Sequence, residues 1–372
     1  MWDYRYMQRA LDLAERGAGW TSPNPAVGAV VVRHGQVVGE GYHRRAGEPH
    51  AEVHALKQAG DLARGATLYV TLEPCNHYGR TPPCTEAILA AGIRRVVVAT
   101  ADANPVVRGR GLARLMNAGL EVWVGVGRKE ARRLNEAFAK YITSGLPWVS
   151  LKVAMSLDGR VATRTGGARW ITGPAARRLV HQLRHRHDAV LVGAGTVLAD
   201  DPRLTVRLEQ GRDPVRLVLD SRLRIPLSSR VINLPSSAPT WIFTTPNHDR
   251  DKRRLLEARG AEVIVVPGSG PRVDIRAMLE IVGQRGITSI MVEGGPTVNA
   301  AFLKHNLVDR LYLFLAPKII GGHEAPGPVG GAGVEEVSSA QRIEGVEVTR
   351  VGEDWLFTGY PKGRDPERYW TL

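Results

Sequence analysis

Apolar runs of strand length alternate with helical stretches along this whole chain, and that alternation constrains the fold more than any other feature. Over the first 145 residues it predicts a helix at about 4–16 and a hairpin in "AVGAVVVRHGQVVGEGYH" that turns at His34-Gly35. A helix from about Ala51 is followed by the strand "ATLYVTLE" and by the helix "PPCTEAILAAG", which stops at Gly92. The strand "RRVVVAT", the helix "GRGLARLMNAG", the strand "LEVWVGV" and one long helix, "KEARRLNEAFAKYITSG", complete this part. "SGLP" at 144–147 reads as a joint. Beyond it the alternation restarts with "PWVSLKVAMSLDG", "GPAARRLVHQLRHR" and "DAVLVGAGT", then the strands "PVRLVLD", "PTWIFTT" and "AEVIVVPG". "ITSIMVEGGPTVNAAFLKHNLVDRLYLFLAPKIIGG" reads as strand, glycine-rich turn, helix and strand. Strands separated by helices imply parallel neighbours in a sheet covered on both faces. The chain has 372 residues, enough for two cores. The expectation is an α/β protein of two domains, 1–145 and 146–361, with "APGPVGGAG" a mobile loop and a loosely ordered tail at 362–372.

The formal net charge is +13, which suits an anionic partner. It is spread out: residues 1–145 carry 19 Lys+Arg against 13 Asp+Glu, or +6, and the rest 31 against 24, or +7. There is no basic tail or block, and small phosphorylated ligands with a solvated basic surface explain the charge at least as well as nucleic acid. The longest apolar runs, such as "AVGAVVV", fall far below the ~20 residues of a membrane helix. The start, "MWDYRYMQRALDLAERG", reads as an amphipathic helix rather than a secretory leader, and cytoplasmic residence is expected.

Both cysteines of the chain, Cys75 and Cys84, lie in "HAEVHALKQAGDLARGATLYVTLEPCNHYGRTPPC" behind His50 and Glu52. Two thiolates and an imidazole bind Zn²⁺ and leave a fourth position for water. Thr81 can cap a helix, Pro82 suits its first position and Cys84 falls in its first turn, where the helix terminus favours a thiolate. Glu52, two residues past His50, is rotated away from the metal and can carry protons for the bound water. The pattern is that of zinc nucleobase deaminases, except that eight residues rather than two separate the cysteines. The alternatives are two small buried cysteines, a closed structural zinc with His77 as fourth ligand, or a zincin-like helix using His54. In a zincin, however, the glutamate directly follows the first histidine.

In the second half no G-x-G-x-x-G stands between a strand and a helix. "MVEGGPTVNAAF" nevertheless places Gly294 and Gly295 after a strand and Pro296 at a helix start, where free N–H groups suit a cofactor phosphate. "LVGAGTVLADD" has the same form.

The first part resembles the cytidine-deaminase-like superfamily. Within it, "SPNPAVGAVVV", "GYHRRAGEPHAEVHAL" and "TLEPCNHYGRTPPC" are similar to the deaminase domain of the bifunctional riboflavin-biosynthesis deaminase-reductase family, which has the longer cysteine spacing. "SLKVAMSLDGRVA", "RWITG", "VLVGAGTVLADDPRLTVR", "DSRLRIP" and "EGGPTVNAAF" are similar to the same family's reductase. The resemblance implies an N-terminal cytidine-deaminase-like three-layer αβα domain and a C-terminal dihydrofolate-reductase-like α/β domain. It implies hydrolysis of the amino group from a diaminopyrimidinone ribosyl phosphate, with zinc on His50, Cys75 and Cys84 and Glu52 moving the protons. Asn24, His43, Arg45 and His77 would contact that substrate. The second domain would reduce the ribosyl unit to ribityl with NADPH. Ala154, Trp170, Thr196, Asp200, Ser221 and the run Gly295, Pro296, Thr297, Val298, Asn299, Ala300, Ala301 would line the cofactor site. Arg184, Leu204, Arg207 and Glu293 would contact substrate, the arginines through its phosphate. Lys152 either polarises the pyrimidine carbonyl or is a strand lysine facing solvent. Where the family often has serine this chain has Ala168, with Thr163 or Thr165 to compensate. The family commonly forms homo-oligomers. The rivals are a tRNA or nucleotide deaminase with an added domain, and a zinc-stabilised binding module without activity.

Overall fold

The computed structural model describes residues 2–78 and 82–370. The chain divides into two compact units, one of residues 1–145 with 366–372, the other of residues 146–365.

In the first unit α1 (Trp2–Gly17) precedes the hairpin β1 (Gly28–Arg33) and β2 (Gln36–Tyr42). His34 and Gly35 both have positive φ, 49° and 75°, as a tight two-residue hairpin turn requires. α2 (Ala51–Ala59), β3 (Thr67–Val70), α3 (Cys84–Ala90), β4 (Arg95–Val98), α4 (Arg110–Asn117) and β5 (Glu121–Val124) follow, then α5 (Arg128–Leu134) and α6 (Glu136–Ser144). Among the described residues the sheet has the order β2-β1-β3-β4-β5, antiparallel at the hairpin side and parallel from β3 to β5. Alternate strand residues face opposite layers. Val31, Leu68, Val70 and Val96 pack against α2, α3 and α4 through Ala55, Ile88 and Leu115. Val30, Val32, Tyr69 and Val97 pack against α1 and α5 through Met7, Leu11 and Ala131. This is the three-layer αβα arrangement expected.

Three expectations are corrected here. The single long helix at 128–144 is two, broken at Asn135. The buried Asn135 side chain accepts from the Ala26 N–H at 2.8 Å and donates to the Ala26 carbonyl at 2.9 Å, and that long-range tie competes with helix continuation. The segment after Pro361 is not a loose tail: Pro366–Tyr369 forms a short 3₁₀ turn, and Trp370, 5% exposed, packs with Leu72, Ala103 and Ala139 of the first unit. Thr81, expected to cap α3, lies outside the described residues; Pro82 precedes the helix rather than opening it, and Pro83 is the capping residue.

The second unit runs β6 (Trp148–Ser156), α7 (Pro174–Arg186), β7 (Ala189–Gly193), α8 (Ala194–Asp200), β8 (Val215–Leu219), β9 (Thr240–Thr244), α9 (Arg250–Glu257) and β10 (Ala261–Val265). It continues with α10 (Ile275–Gln284), β11 (Ser289–Val292), α11 (Pro296–Lys304), β12 (Arg310–Ala316), β13 (Ile343–Val351) and β14 (Asp354–Pro361). Among the described residues the sheet order is β10-β9-β8-β7-β11-β6-β12-β14-β13. It is parallel from β10 to β12 and antiparallel at β14 and β13. One face packs on α10 and α11 through Met278, Leu279, Val282 and Phe302, the other on α7, α8 and α9 through Val180, Leu183, Val197 and Leu256. The glycine- and proline-rich stretch expected to be mobile is pinned instead. Ala325 O accepts from Arg160, Pro326 O from the Val161 N–H, Pro328 O from Asn299, and the Gly330 N–H reaches Pro296 O. Among the described residues no helix is long and apolar enough to cross a membrane.

Candidate functional site

In the first unit α2 and α3 begin at the same point. His50 is the residue before α2, with extended backbone (φ −73°, ψ 166°), and Glu52 lies in the first turn. Cys75 follows the end of β3, and Cys84 is the first residue of α3. His50 Nδ1 stands 3.2 Å from Cys84 Sγ and 3.6 Å from Cys75 Sγ, and the Cys84 N–H donates to Cys75 Sγ at 3.4 Å. Tetrahedral zinc with its usual bond lengths places S and N ligands about 3.6 Å apart, so these donors are already near ligating geometry. Among the described residues no fourth His, Cys, Asp or Glu joins them, which leaves a coordination position open. A closed site with His77 is therefore not built: His77 is exposed and acts electrostatically on Asp102 instead.

The charges suit a divalent cation. Cys75 is pulled down to about 4 by the hydrogen bond from the Cys84 thiol, against burial and with help from His50. The same contact pushes Cys84 upward, so the pair shares a proton that a cation displaces. Glu52 is 3% exposed and burial raises its carboxyl. A buried carboxyl beside the open position has the placement and the raised basicity of a proton carrier. Asn24 Nδ2 lies 3.2 Å from His43 Nε2, and the His43 ring stands edge-on to His50 with centroids 5.3 Å apart. Burial lowers the pKa of His43, against the hydrogen bond to the Pro49 carbonyl. Arg45 lies over the Trp20 ring at 5.0 Å.

Sequence reasoning missed Glu73 and Asp102. Buried Glu73 accepts from the N–H groups of Asp102, Gly109, Gly111 and Leu112 and so shapes the loop beside the site. Burial lifts Asp102 to about 6, opposed by its bond from the Asn104 N–H. Glu73 stands in the quoted "TLEPC", two residues before Cys75, but its partners lie 29 to 39 residues away and leave no local signal.

In the second unit the parallel strands deliver their carboxyl ends to one edge, where ligands of such sheets bind. Glu293, just past β11, is held by Arg184 Nε at 2.6 Å and Nη2 at 3.1 Å and by Lys152 Nζ at 3.4 Å. All three side chains are 10–15% exposed. Burial alone would raise Glu293, but Arg184 and Lys152 outweigh it and hold the carboxyl at about 2. Lys152 is thus not a solvent-facing strand lysine. Arg184 also donates to Thr205 O, so one edge of its guanidinium is spent on Glu293 and one N–H of each terminal nitrogen remains. Arg207 is exposed, and among the described residues it has no ion pair. Burial lowers its pKa, and so does repulsion from Arg184, Arg203, Arg169 and Arg177: four more cations surround it. Sequence reasoning missed Arg169, Arg177 and Arg203. Burial, with Arg184 and Arg207, pushes His181 down to about 4.

The glycines divide their labour. A Cβ at Gly193 or Gly294 would come within 2.7 Å of Val298, so these two let α11 pack onto the strands. Gly195 faces open space, and a Cβ at Gly295 would meet nothing nearer than Thr196 Oγ1 at 3.6 Å. Gly195, Thr196, Gly295, Pro296 and exposed Thr297 therefore form an open cradle that fits a phosphate. Val298 and Ala301 pack on the core, Ala300 is half-buried, and buried Asn299 spends its amide on Pro328 O. Ala154 lies on β6 opposite Phe314. Trp170 is 56% exposed, with Arg177 over its ring at 4.6 Å and its carbonyl taken by Lys318 Nζ. Asp200 ends α8, and its carbonyl accepts from Arg169. Leu204, 3% exposed with φ 56°, turns its side chain into the core and can offer a ligand only its backbone. Ala168 is half-buried; Thr163 and Thr165 bond each other at 3.1 Å, and Thr163 also accepts from the Gly167 N–H, so both serve the loop itself.

A three-donor zinc site with a buried glutamate suits the first unit to metal-assisted hydrolysis, and the open cradle and arginine cluster suit the second to anionic ligands. Known proteins bear this out. Residues 1–100 match the cytidine and deoxycytidylate deaminase zinc-binding region, and residues 147–357 match the RibD C-terminal domain. The riboflavin biosynthesis protein RibD of Bacillus amyloliquefaciens is 46% identical over 97% of both chains. That of Aquifex aeolicus is 47% identical over 95% of this chain and 96% of its own. Among solved structures, Acinetobacter baumannii RibD superposes with a TM-score of 0.86 at 39% identity, covering 97% of this chain and 99% of that one. The diaminohydroxyphosphoribosylaminopyrimidine deaminase/5-amino-6-(5-phosphoribosylamino)uracil reductase of Thermotoga maritima does so at 0.85 and 39%, with the same coverage. The chain belongs to the RibD family of riboflavin biosynthesis proteins. It is a bifunctional deaminase and reductase whose cofactors are zinc and NADPH.

Proposed function

We propose that the first unit removes the ring amino group of 2,5-diamino-6-ribosylamino-pyrimidinone 5′-phosphate, and that the second reduces the ribosyl group of the product to ribityl. The observation that carries this is the convergence of His50, Cys75 and Cys84 beside buried Glu52. His50, Cys75 and Cys84 would hold a zinc ion, which when bound would supply an acidified water. Water oxygen adds to the amino-bearing carbon, the C–N bond breaks, and nitrogen leaves as ammonia. Glu52 takes one proton of the water to the ring nitrogen and, as the carbonyl forms, carries the remaining hydroxyl proton to the departing amine. Asn24, His43, Arg45 and His77 orient the substrate.

In the second unit NADPH supplies the hydride. Ala154, Trp170, Thr196, Asp200, Ser221 and the run from Gly295 to Ala301 hold it. Arg207 and the free edge of Arg184 bind the substrate phosphate. Lys152 and Glu293 meet the pyrimidine, with backbone contacts from Leu204 and Ala168. The chain acts on small molecules, not on nucleic acid, and assembles as a homo-oligomer in the cytoplasm; light scattering reads the assembly.

Zinc content and ammonia release, measured together, test the first half. Wild type should hold one zinc per chain and release ammonia, and Cys84→Ser should lose both. Zinc with no ammonia from this substrate, but deamination of RNA, would replace the substrate assignment.

A further inference from the structure

The first unit is built from two stretches of chain, residues 1–145 and 366–372, with the whole second unit between them in sequence. The returning stretch is short, yet "PERYW" brings a carboxylate and two aromatic rings. Pro366–Tyr369 makes one 3₁₀ turn, and the Trp370 N–H donates to the Glu367 carbonyl at 2.9 Å. In such a turn side chains three apart lie one above the other, so Glu367 and Trp370 face the same way. Both meet Arg132 of α5. Glu367 pairs with its guanidinium, whose carbon stands 5.5 Å from the Trp370 ring centre.

From there two routes lead to the zinc site. Arg132 Nε donates to Thr100 Oγ1 at 3.0 Å, and the Thr100 carbonyl accepts from the Glu73 N–H at 3.0 Å. The buried Trp370 indole packs in one cluster with Leu72 and Ala103, and Val27 packs against that cluster. Each of these neighbours adjoins the site. Leu72 precedes Glu73 and Pro74, which lead into Cys75. Ala103 follows Asp102, whose N–H is held by Glu73 at 3.1 Å. The Val27 carbonyl accepts from the His43 N–H at 2.9 Å. Three segments that carry the site thus rest on one indole delivered from the far end of the chain. Interiors are close-packed, so losing that indole lets Leu72 and Ala103 shift, and a misplacement of about 1 Å at a reacting centre costs about a hundredfold in rate.

We propose that the returning segment positions the deaminase site: Trp370, with Glu367 acting through Arg132, sets the strand end that leads into Cys75 and the loop that carries Asp102. This rests on the deaminase reading of the first unit. The test compares full-length wild type, Trp370→Ala, Trp370→Phe and Glu367→Ala, each loaded with zinc and held well below its unfolding midpoint. Ammonia release per bound zinc is read beside NADPH oxidation on the already deaminated substrate, which uses the second unit and serves as the internal standard. Trp370→Ala should lower kcat for ammonia release about ten- to a hundredfold. Glu367→Ala should lower it less, Trp370→Phe should recover most of the loss, and NADPH oxidation should stay at the wild-type rate throughout. A residue that only stabilises the fold would lower the midpoint and leave kcat per bound zinc intact. That result for Trp370→Ala, or an equal loss of NADPH oxidation, removes the proposal and spares the deaminase reading. If Trp370→Ala does not fold, Glu367→Ala decides, and a wild-type kcat there removes the proposal. If wild type releases no ammonia, the deaminase reading falls and takes the proposal with it.

Discussion

Replacing Glu293 by glutamine should unfold the second unit at a markedly lower temperature. The carboxylate is the counter-ion of two buried cations, Arg184 and Lys152, whose side chains are 11% and 15% exposed. Breaking a buried pair by removing one partner costs about 3–5 kcal/mol. The titration gives a second route to the magnitude. The carboxyl sits at about 2 instead of its ordinary 4.5. At about 1.4 kcal/mol per pH unit that depression amounts to roughly 3 kcal/mol, the same order. For a unit of 220 residues each kcal/mol moves the midpoint by about 2–4 °C, so a drop of roughly 10 °C is expected at neutral pH. Because the folded pKa lies below the unfolded one, the unfolded chain binds more protons between them. The stabilisation is therefore full above about 4.5 and is lost as pH falls towards 2. The gap between wild type and Glu293→Gln should close over that window. Scanning calorimetry at pH 7 and at pH 3 reads both effects, and adding Lys152→Met to Glu293→Gln should restore part of the midpoint. A Glu293→Gln midpoint within about 1 °C of wild type at pH 7 would refute the reasoning, since it would mean the cluster is solvated and the pair worth no more than a surface one.

Glu52→Gln should cut ammonia release by about 10²–10⁴-fold, as loss of a general acid–base does, while bound zinc stays at the wild-type level. Arg207→Ala should raise the reductase KM about tenfold or more through the lost phosphate contact and blunt its dependence on salt; an unchanged KM would place the phosphate elsewhere. Trp370→Ala should destabilise the first unit by about 3–5 kcal/mol, read as an earlier unfolding transition, because the indole fills a pocket against Leu72, Ala103 and Ala139.

Two of the zinc donors were legible because each sits at a helix start that its neighbours announce. His50 precedes "AEVHAL" and Cys84 opens "CTEAILA". The hairpin turn and the parallel alternation were legible for the same reason, since period and turn chemistry are local. What escaped depends on distant partners. The break at Asn135 is made by Ala26, 109 residues earlier. The arginine cluster draws Arg169 and Arg177, Arg184, and Arg203 and Arg207 from separate stretches of chain, and no spacing rule links them. The antiparallel pair β13 and β14 went unread because β13 is exposed along nearly its whole length and has no buried face to pattern. Trp370 looked like part of a tail because the core that receives it is assembled from residues 72, 103 and 139.

One chain performs both steps, in order. The most direct test follows ammonia release and NADPH oxidation separately on one zinc-loaded preparation given the diaminopyrimidinone ribosyl phosphate, with Glu52→Gln alongside. Ammonia first and NADPH loss after it are expected in the wild type. Neither is expected in the variant, and NADPH oxidation should be restored once the variant receives the already deaminated substrate. NADPH consumed by Glu52→Gln from the amino substrate, or ammonia released with NADPH untouched in the wild type, would contradict this order.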